Sequence, residues 1–227
     1  MEISSYAFEG RKYLRAYDRL TRRIYKPLTT RSLLAPLGRK KIDELLEQVR
    51  WEFSLLILQI PFIGRKNIFK PRLVFSTLSL AFWRVLKHYG WKTEEISRFL
   101  NQMVVYFAET IPSFMRRMLH RHLFSPGHIR SVLQGALSSQ FRKYDGDWVY
   151  KFVPGDEDFS YGMDVYHCAI DHFYHNQGAT ELLPFMCELE CKAANLLDLK
   201  LVNTERLPDG AGCCNCRLIR QRALPID

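Results

Sequence analysis

The chain has 227 residues, of which 47% are hydrophobic, 13% aromatic and 25% charged, which is enough apolar material for one large domain or two small ones. This composition excludes an intrinsically disordered chain, a collagen and a coiled coil. The net charge of +9 is unevenly spread, because residues 1–146 carry 26 basic and 11 acidic side chains whereas residues 147–227 carry 7 and 13. We therefore predict two parts, 1–146 and 147–227, packed as one unit.

The basic part shows the apolar spacing of helices along most of its length. A helical stretch starts at residue 11 and is expected to be interrupted by Pro27 and Pro36. Further helices are predicted over 41–58, 73–88, 93–110 and, as one helix or two, 112–144. The most apolar stretch, 53–63, is about half of the ~20 residues that a membrane-spanning helix needs. No transmembrane segment is expected.

The acidic part has a different pattern. Residues 148–153 and 159–166 are β-branched and aromatic around the turn Pro154-Gly155-Asp156, which predicts a hairpin. Two helices are then predicted over 168–176 and 180–197, followed by strands over 199–206 and 214–221. The expected fold class is α+β, a helical N-terminal part followed by a small antiparallel sheet (ββααββ) with helices on one face.

All the cysteines fall in the acidic part. Because the chain opens without the charged, apolar and small-residue pattern of a secretory leader, a cytoplasmic location is expected. In a reducing compartment cysteines act as thiols, metal ligands or nucleophiles more often than as disulfides. The six positions are Cys168, Cys187, Cys191, Cys213, Cys214 and Cys216.

Four residues of this part are predicted to converge. Cys168 lies where a strand passes into a helix, Cys187 and Glu190 are three apart on one helix face, and Cys214 begins the last strand. One chemistry is a zinc site with Cys168, Cys187 and Cys214 as ligands and Glu190 taking a proton from bound water. Zinc is accordingly the cofactor to consider.

The other chemistry is direct attack by a thiolate, with Glu190 as acid or base. His167, His172 or the nearby helix start would then lower the pKa of the attacking thiol. Spacing leaves both chemistries open. Cys191 and Cys213 are predicted to be buried apolar residues without a chemical role.

Three cysteine-containing segments resemble the L-2-amino-thiazoline-4-carboxylic acid hydrolase family. They are 159–170 (FSYGMDVYHCAI), 178–190 (GATELLPFMCELE) and 204–217, and residues 60–64 and 86–90 are similar to the helical portion of the family. The resemblance covers roughly residues 50–220. It implies a cytosolic hydrolase that opens the ring of a cyclic isothiourea amino acid, with Cys168, Cys187, Glu190 and Cys214 at its site.

The chain departs from the family pattern at four positions. His167 stands where many members have an acid, Glu190 where they usually have Asp, and Asn215-Cys216 where they have Asp-Phe.

A substrate carboxylate would bind Arg217 or the backbone amides near Cys168. The expected substrate-binding residues are His167, His172, Asn215 and Arg217.

Two other functions remain open on sequence alone. The same cysteines could build a non-catalytic sensor that binds a metal or small molecule, and the +15 of residues 1–146 could bind nucleic acid. The basic residues are scattered over many predicted helices without a nucleic-acid-binding motif, so a small-molecule substrate is expected and a specific nucleic-acid partner is not. A homo-oligomer also remains open. The amphipathic segment 114–124 is the best candidate for contact with a membrane surface or a partner helix.

Overall fold

The computed structural model describes residues 5–64 and 67–220, with side chains from residue 10 onward. Within these residues the basic part is helical, as predicted. Its helices are α1 (Ser5–Thr30), α2 (Arg39–Ile57), α3 (Lys70–His88), α4 (Thr93–Glu109), α5 (Ser113–Leu123) and α6 (Pro126–Ser139). None of the helices in the described residues combines the length and apolar character that a membrane crossing requires.

One predicted break is wrong. Helix α1 continues through Pro27 to its end at Thr30. A proline removes one helical hydrogen bond, but here it lies in the last turn, and the neighbouring Ile24 and Leu28 are fully buried. The break predicted at Pro36 is confirmed, since Pro36 lies in a short 3-10 turn before α2.

The acidic part forms the predicted ββααββ arrangement, and the fold class is α+β. A four-stranded antiparallel sheet has the strand order β1-β2-β4-β3. Two helices lie between β2 and β3 in the sequence. The elements are β1 (Val149–Pro154), β2 (Tyr161–His167), α7 (Ala169–Asn176), α8 (Leu183–Leu196), β3 (Lys200–Asn203) and β4 (Cys214–Ile219).

The sheet has one buried face and one open face. The alternation of a strand puts Cys214 and Cys216 on the buried face, where they pair with Val165 and Met163 of β2. Helices cover this face, and one cluster of buried apolar residues includes members of both the basic and the acidic part. The division of the chain into two parts at residue 146 stays a prediction from the sequence.

Helix α3 joins the two parts. Eleven of its residues are buried, and the hydroxyl of Tyr174 in α7 donates a buried hydrogen bond of 2.7 Å to the carbonyl oxygen of Ser76. The two arginines inside α3 are both paired with acids, Arg72 with Glu190 and Arg84 with Glu52. Such pairing is what allows charged side chains on so buried a helix.

Close contact between β2 and β4 explains why residue 162 of β2 is a glycine. A Cβ atom at Gly162 would lie 2.8 Å from the carbonyl oxygen of Cys216 and 2.7 Å from Cδ of Arg217. Both distances are shorter than van der Waals contact, so a side chain here would push β4 away from β2. The glycine thereby sets the position of the strand that carries Cys214.

Candidate functional site

The cysteine cluster is assembled from four elements of the fold. Helix α8 supplies Cys187 and Glu190, three residues apart and both half-buried, while β4 supplies Cys214. Cys168 is the residue that precedes α7, and Arg72 enters from the first turn of α3. The structure thus brings together the four residues predicted from the sequence and adds Arg72.

Two of the thiols form a hydrogen-bonded pair. Cys187 is hydrogen-bonded to Cys214, and the backbone N–H of Leu207 donates to Sγ of Cys214 at 3.2 Å. These bonds lower the pKa of Cys214 to about 7, although burial acts in the opposite direction. The pKa of Cys187 is raised well above its usual range by the same hydrogen bond and by burial. Cys214 is therefore the thiolate of the pair and Cys187 the thiol.

The other cysteines are poor nucleophiles in this arrangement. Burial raises the pKa of Cys168 to about 11 and that of Cys216 to about 12. Burial also raises the pKa of Cys191 and Cys213. Cys214 is the one cysteine of the six whose pKa is lowered, and a thiolate is the reactive form.

An ion pair borders the thiols. The guanidinium of Arg72 holds the carboxylate of Glu190 with two hydrogen bonds, one of 3.1 Å from Nε to Oε1 and a second from Nη2 to Oε2. The Glu190 side chain is 16% exposed and the Arg72 side chain 33%, so the pair is partly shielded from water. Its charges also act on the Cys168 and Cys214 thiols.

Arg72 was missed by sequence reasoning, although one signal was present. A charged residue in the first turn of a helix that is largely buried needs a partner. The partner, Glu190, is 118 residues away along the chain. Periodicity identifies the need for a partner but not which residue satisfies it.

The two histidines predicted to bind substrate have other contacts. His167 Nδ1 lies 2.8 Å from the carbonyl oxygen of Asp147, and His172 Nε2 lies 3.1 Å from Nδ2 of Asn176. The two rings are neighbours, with centroids 5.8 Å apart. Their assignment to substrate binding stays a prediction.

Asn215 and Arg217 lie on the face of the sheet opposite to Cys214, because they alternate with it along β4. Oδ1 of Asn215 accepts hydrogen bonds of 2.8 Å from the amides of Thr204 and Glu205. Arg217 forms an ion pair of 2.8 Å with Asp164. These contacts stabilise the sheet and the turn before β4, and the predicted role in substrate binding stays a prediction.

The predicted zinc ligands do not form a metal site as they are arranged. Among the described residues no three His, Cys, Asp or Glu side chains are grouped so that they could hold a metal ion. Cys214 already accepts hydrogen bonds from Leu207 and Cys187. In addition, the charge of Arg72 lies where it would oppose a second cation.

We expect alkylation by iodoacetamide to report the thiolate of Cys214. Because its pKa is lowered to about 7, its labelling rate should level off above pH 8 and fall roughly tenfold per pH unit below 6. Quench-flow mass spectrometry of the peptide that contains Cys214 measures this pH profile. Because Cys214 is only 7% exposed, burial also affects the absolute labelling rate, and the midpoint of the profile is the quantity to compare. Cys187→Ala removes the thiol donor and should move the midpoint toward 9. A wild-type midpoint near 9 would contradict the pairing.

The chain was compared with protein families, curated proteins and solved structures. The family model for L-2-amino-thiazoline-4-carboxylic acid hydrolase matches residues 74–218, which is more than half of the chain and includes all six cysteines. Arg72 lies just before the matched segment. No curated protein and no solved structure was found to match the chain. By this match, the chain belongs to the L-2-amino-thiazoline-4-carboxylic acid hydrolase family.

Proposed function

We propose that the protein hydrolyses a small cyclic amidine or thiazoline-type amino acid, with the Cys214 thiolate as nucleophile. The observation that carries the proposal is the pairing of Cys214 with Cys187 beside the Arg72–Glu190 ion pair. A thiolate, a neighbouring proton donor and a carboxylate are the groups that hydrolysis of an amidine carbon needs. The family membership supports the same reaction class.

In the first step Cys214 Sγ attacks the ring carbon that is bonded to sulfur and nitrogen. The new C–S bond forms while the electron pair of the C=N bond moves to nitrogen, which takes a proton from the Cys187 thiol. Collapse of this intermediate breaks a ring C–S or C–N bond and leaves the opened substrate attached to Cys214. Covalent capture divides one difficult hydrolysis into two easier steps.

In the second step water attacks the captured carbon. Glu190, whose carboxylate is held by Arg72, receives a proton from this water. Cys214 then leaves as the thiolate that its hydrogen bonds to Leu207 and Cys187 stabilise. Glu190 then passes its proton to Cys187, which gave up its own in the first step. The net reaction adds one water molecule to the substrate and regenerates the enzyme.

Arg72 is our candidate for the substrate carboxylate, in place of Arg217. Glu190 uses Nε and Nη2 of the Arg72 guanidinium, which leaves the N–H groups of Nη1 for a second carboxylate. Arg217 lies on the opposite face of the sheet. Charge-assisted bonds to a guanidinium would orient the ring toward Cys214.

A groove next to the cluster offers a route for a substrate. It has a volume of about 510 Å³ and is lined by residues of α8 together with Asn203 and Arg206. Asn203 Nδ2 lies 3.8 Å from Sγ of Cys216, and the charge of Arg206 acts on Cys187. The groove therefore adjoins the cysteines from the side of β3.

The direct test is turnover of L-2-amino-thiazoline-4-carboxylate by protein purified without chelator or affinity metal. We expect ring opening that continues in the presence of EDTA and stops when Cys214 alone is alkylated, as assigned by mass spectrometry. Cys191→Ser is the matched control, because Cys191 lines the groove but has no role in the proposed steps.

Two results would contradict the proposal. Activity that follows one zinc per chain, with both lost in a Cys214 variant, would establish metal-activated water in place of thiolate attack. Saturable binding of this substrate and of related thiazolines, with no turnover of any of them, would favour the sensor. Elemental analysis and calorimetry distinguish these cases.

A further inference from the structure

A second cavity is lined by Pro71 and Leu189, the chain neighbours of Arg72 and Glu190, but by no residue of the cysteine cluster itself. It has a volume of about 500 Å³ and is lined by residues of α1, α2, α3, α4 and α8. Apolar side chains such as Leu20, Phe75, Met103 and Leu197 form most of its wall, and none of the six cysteines lines it. Its size falls in the range of about 300–1,000 Å³ that is usual for small-molecule sites.

The charged residues among the described part of the cavity wall are of one sign. They are Arg19 and Arg23, one turn apart on the same face of α1. Both are exposed, and neither forms an ion pair within the described residues. Arg19 Nε donates a hydrogen bond of 3.3 Å to the carbonyl oxygen of Arg15. Among the side chains that the structure describes, no Asp or Glu lines the cavity. An apolar interior therefore meets two positive charges at its edge, and none of the described acids pairs with them.

We propose that this cavity binds a single-chain carboxylate of fatty-acid type, with the acyl chain inside and the carboxylate on Arg19 and Arg23. An apolar wall selects for the chain, because burial of each CH₂ group strengthens binding roughly fourfold. Two guanidinium groups select for an anionic head group through charge-assisted hydrogen bonds. A polar substrate of the size of a thiazoline amino acid would leave most of this wall unfilled.

The test is calorimetric titration of the full chain with dodecanoate below its micelle concentration. We expect one molecule per chain, and an affinity that rises with length from octanoate to dodecanoate. Dodecanol, which has the same chain without the charge, should bind at least roughly tenfold more weakly at low salt.

Matched variants on α1 locate the site. Arg19→Glu with Arg23→Glu should weaken dodecanoate binding at least roughly tenfold and leave dodecanol binding within about twofold. Arg15→Glu with Arg22→Glu makes the same change of charge on the same helix at residues that do not line the cavity, and should change dodecanoate affinity by less than about threefold. Ala16→Trp, at an exposed lining position, should abolish binding by filling the entrance.

Three results would overturn the proposal: no binding of monomeric dodecanoate, equal losses in the two double variants, or unchanged binding in Ala16→Trp. Circular dichroism establishes that each variant is folded. If the charge-reversed protein is not folded, Arg19→Gln with Arg23→Gln removes the charges without introducing new ones, and the same comparison applies.

Discussion

Replacement of Cys214 by serine should reduce kcat/KM by about a thousandfold or more. A serine hydroxyl does not ionise near neutral pH, so the hydrogen bonds from Cys187 and the Leu207 amide would no longer stabilise an attacking anion. The side chain is nearly isosteric, and we expect the melting temperature to change by only a few degrees. Steady-state kinetics and thermal unfolding of the same preparation measure both quantities.

Other cysteine variants show whether this loss is specific. Cys213→Ser and Cys191→Ser should keep nearly full activity. The pKa of both thiols is raised by burial, and neither thiol forms a hydrogen bond with the Cys214 side chain. Cys187→Ser should keep part of the activity, since a hydroxyl can still donate to Cys214. Full activity of Cys214→Ser, or complete loss in Cys191→Ser, would show that the nucleophile has been assigned to the wrong residue.

Replacement of Arg72 by methionine should lower both stability and turnover. It leaves the carboxylate of Glu190, which is 16% exposed, without its partner, and an unpaired charge so far from solvent costs about 1–3 kcal/mol. We expect urea unfolding to show a loss of this size. Turnover should fall roughly a hundredfold, because the proposed contact to the substrate carboxylate is also lost.

A double variant separates these two effects. Arg72→Met with Glu190→Gln removes both charges and should recover part of the lost stability without recovering turnover. Arg72→Lys keeps a charge but not the paired geometry, and should raise KM more than it lowers kcat if Arg72 binds substrate. Wild-type KM and kcat in Arg72→Lys would mean that the pair has a structural role only.

Periodicity predicted most of this fold because its signals are local. The apolar run of α3 and the alternation of β4 follow from which residues face the core. The same alternation places Asn215 and Arg217 across the sheet from Cys214, so the sequence already contained a reason to separate them from the cysteines. Pro27 was misjudged because its effect depends on its distance from the helix end and on burial around it.

The interactions that decide the chemistry are mostly not local. The Arg72–Glu190 pair joins residues 118 positions apart, and the amide of Leu207 reaches Cys214 only through the turn between β3 and β4. A backbone N–H is the same group in every residue except proline, so the sequence does not indicate which amide will bond to Cys214. The residues of the cluster were therefore predictable, whereas the choice of Cys214 among the six cysteines required the structure.

The sheet order gives the Cys214 thiolate and its amide donor, Leu207, different local stabilities. Strand β4 is an inner strand, bonded to β2 on one side and to β3 on the other, so its opening requires two ladders to separate, and its amide protons should exchange slowly with solvent. Leu207 belongs to a short 3-10 turn, Leu207–Asp209, outside the ladders. Opening of that turn would release the amide from Sγ while β4 stays in place, so we expect the reactivity of Cys214 to depend on the stability of the turn as well as on that of the sheet.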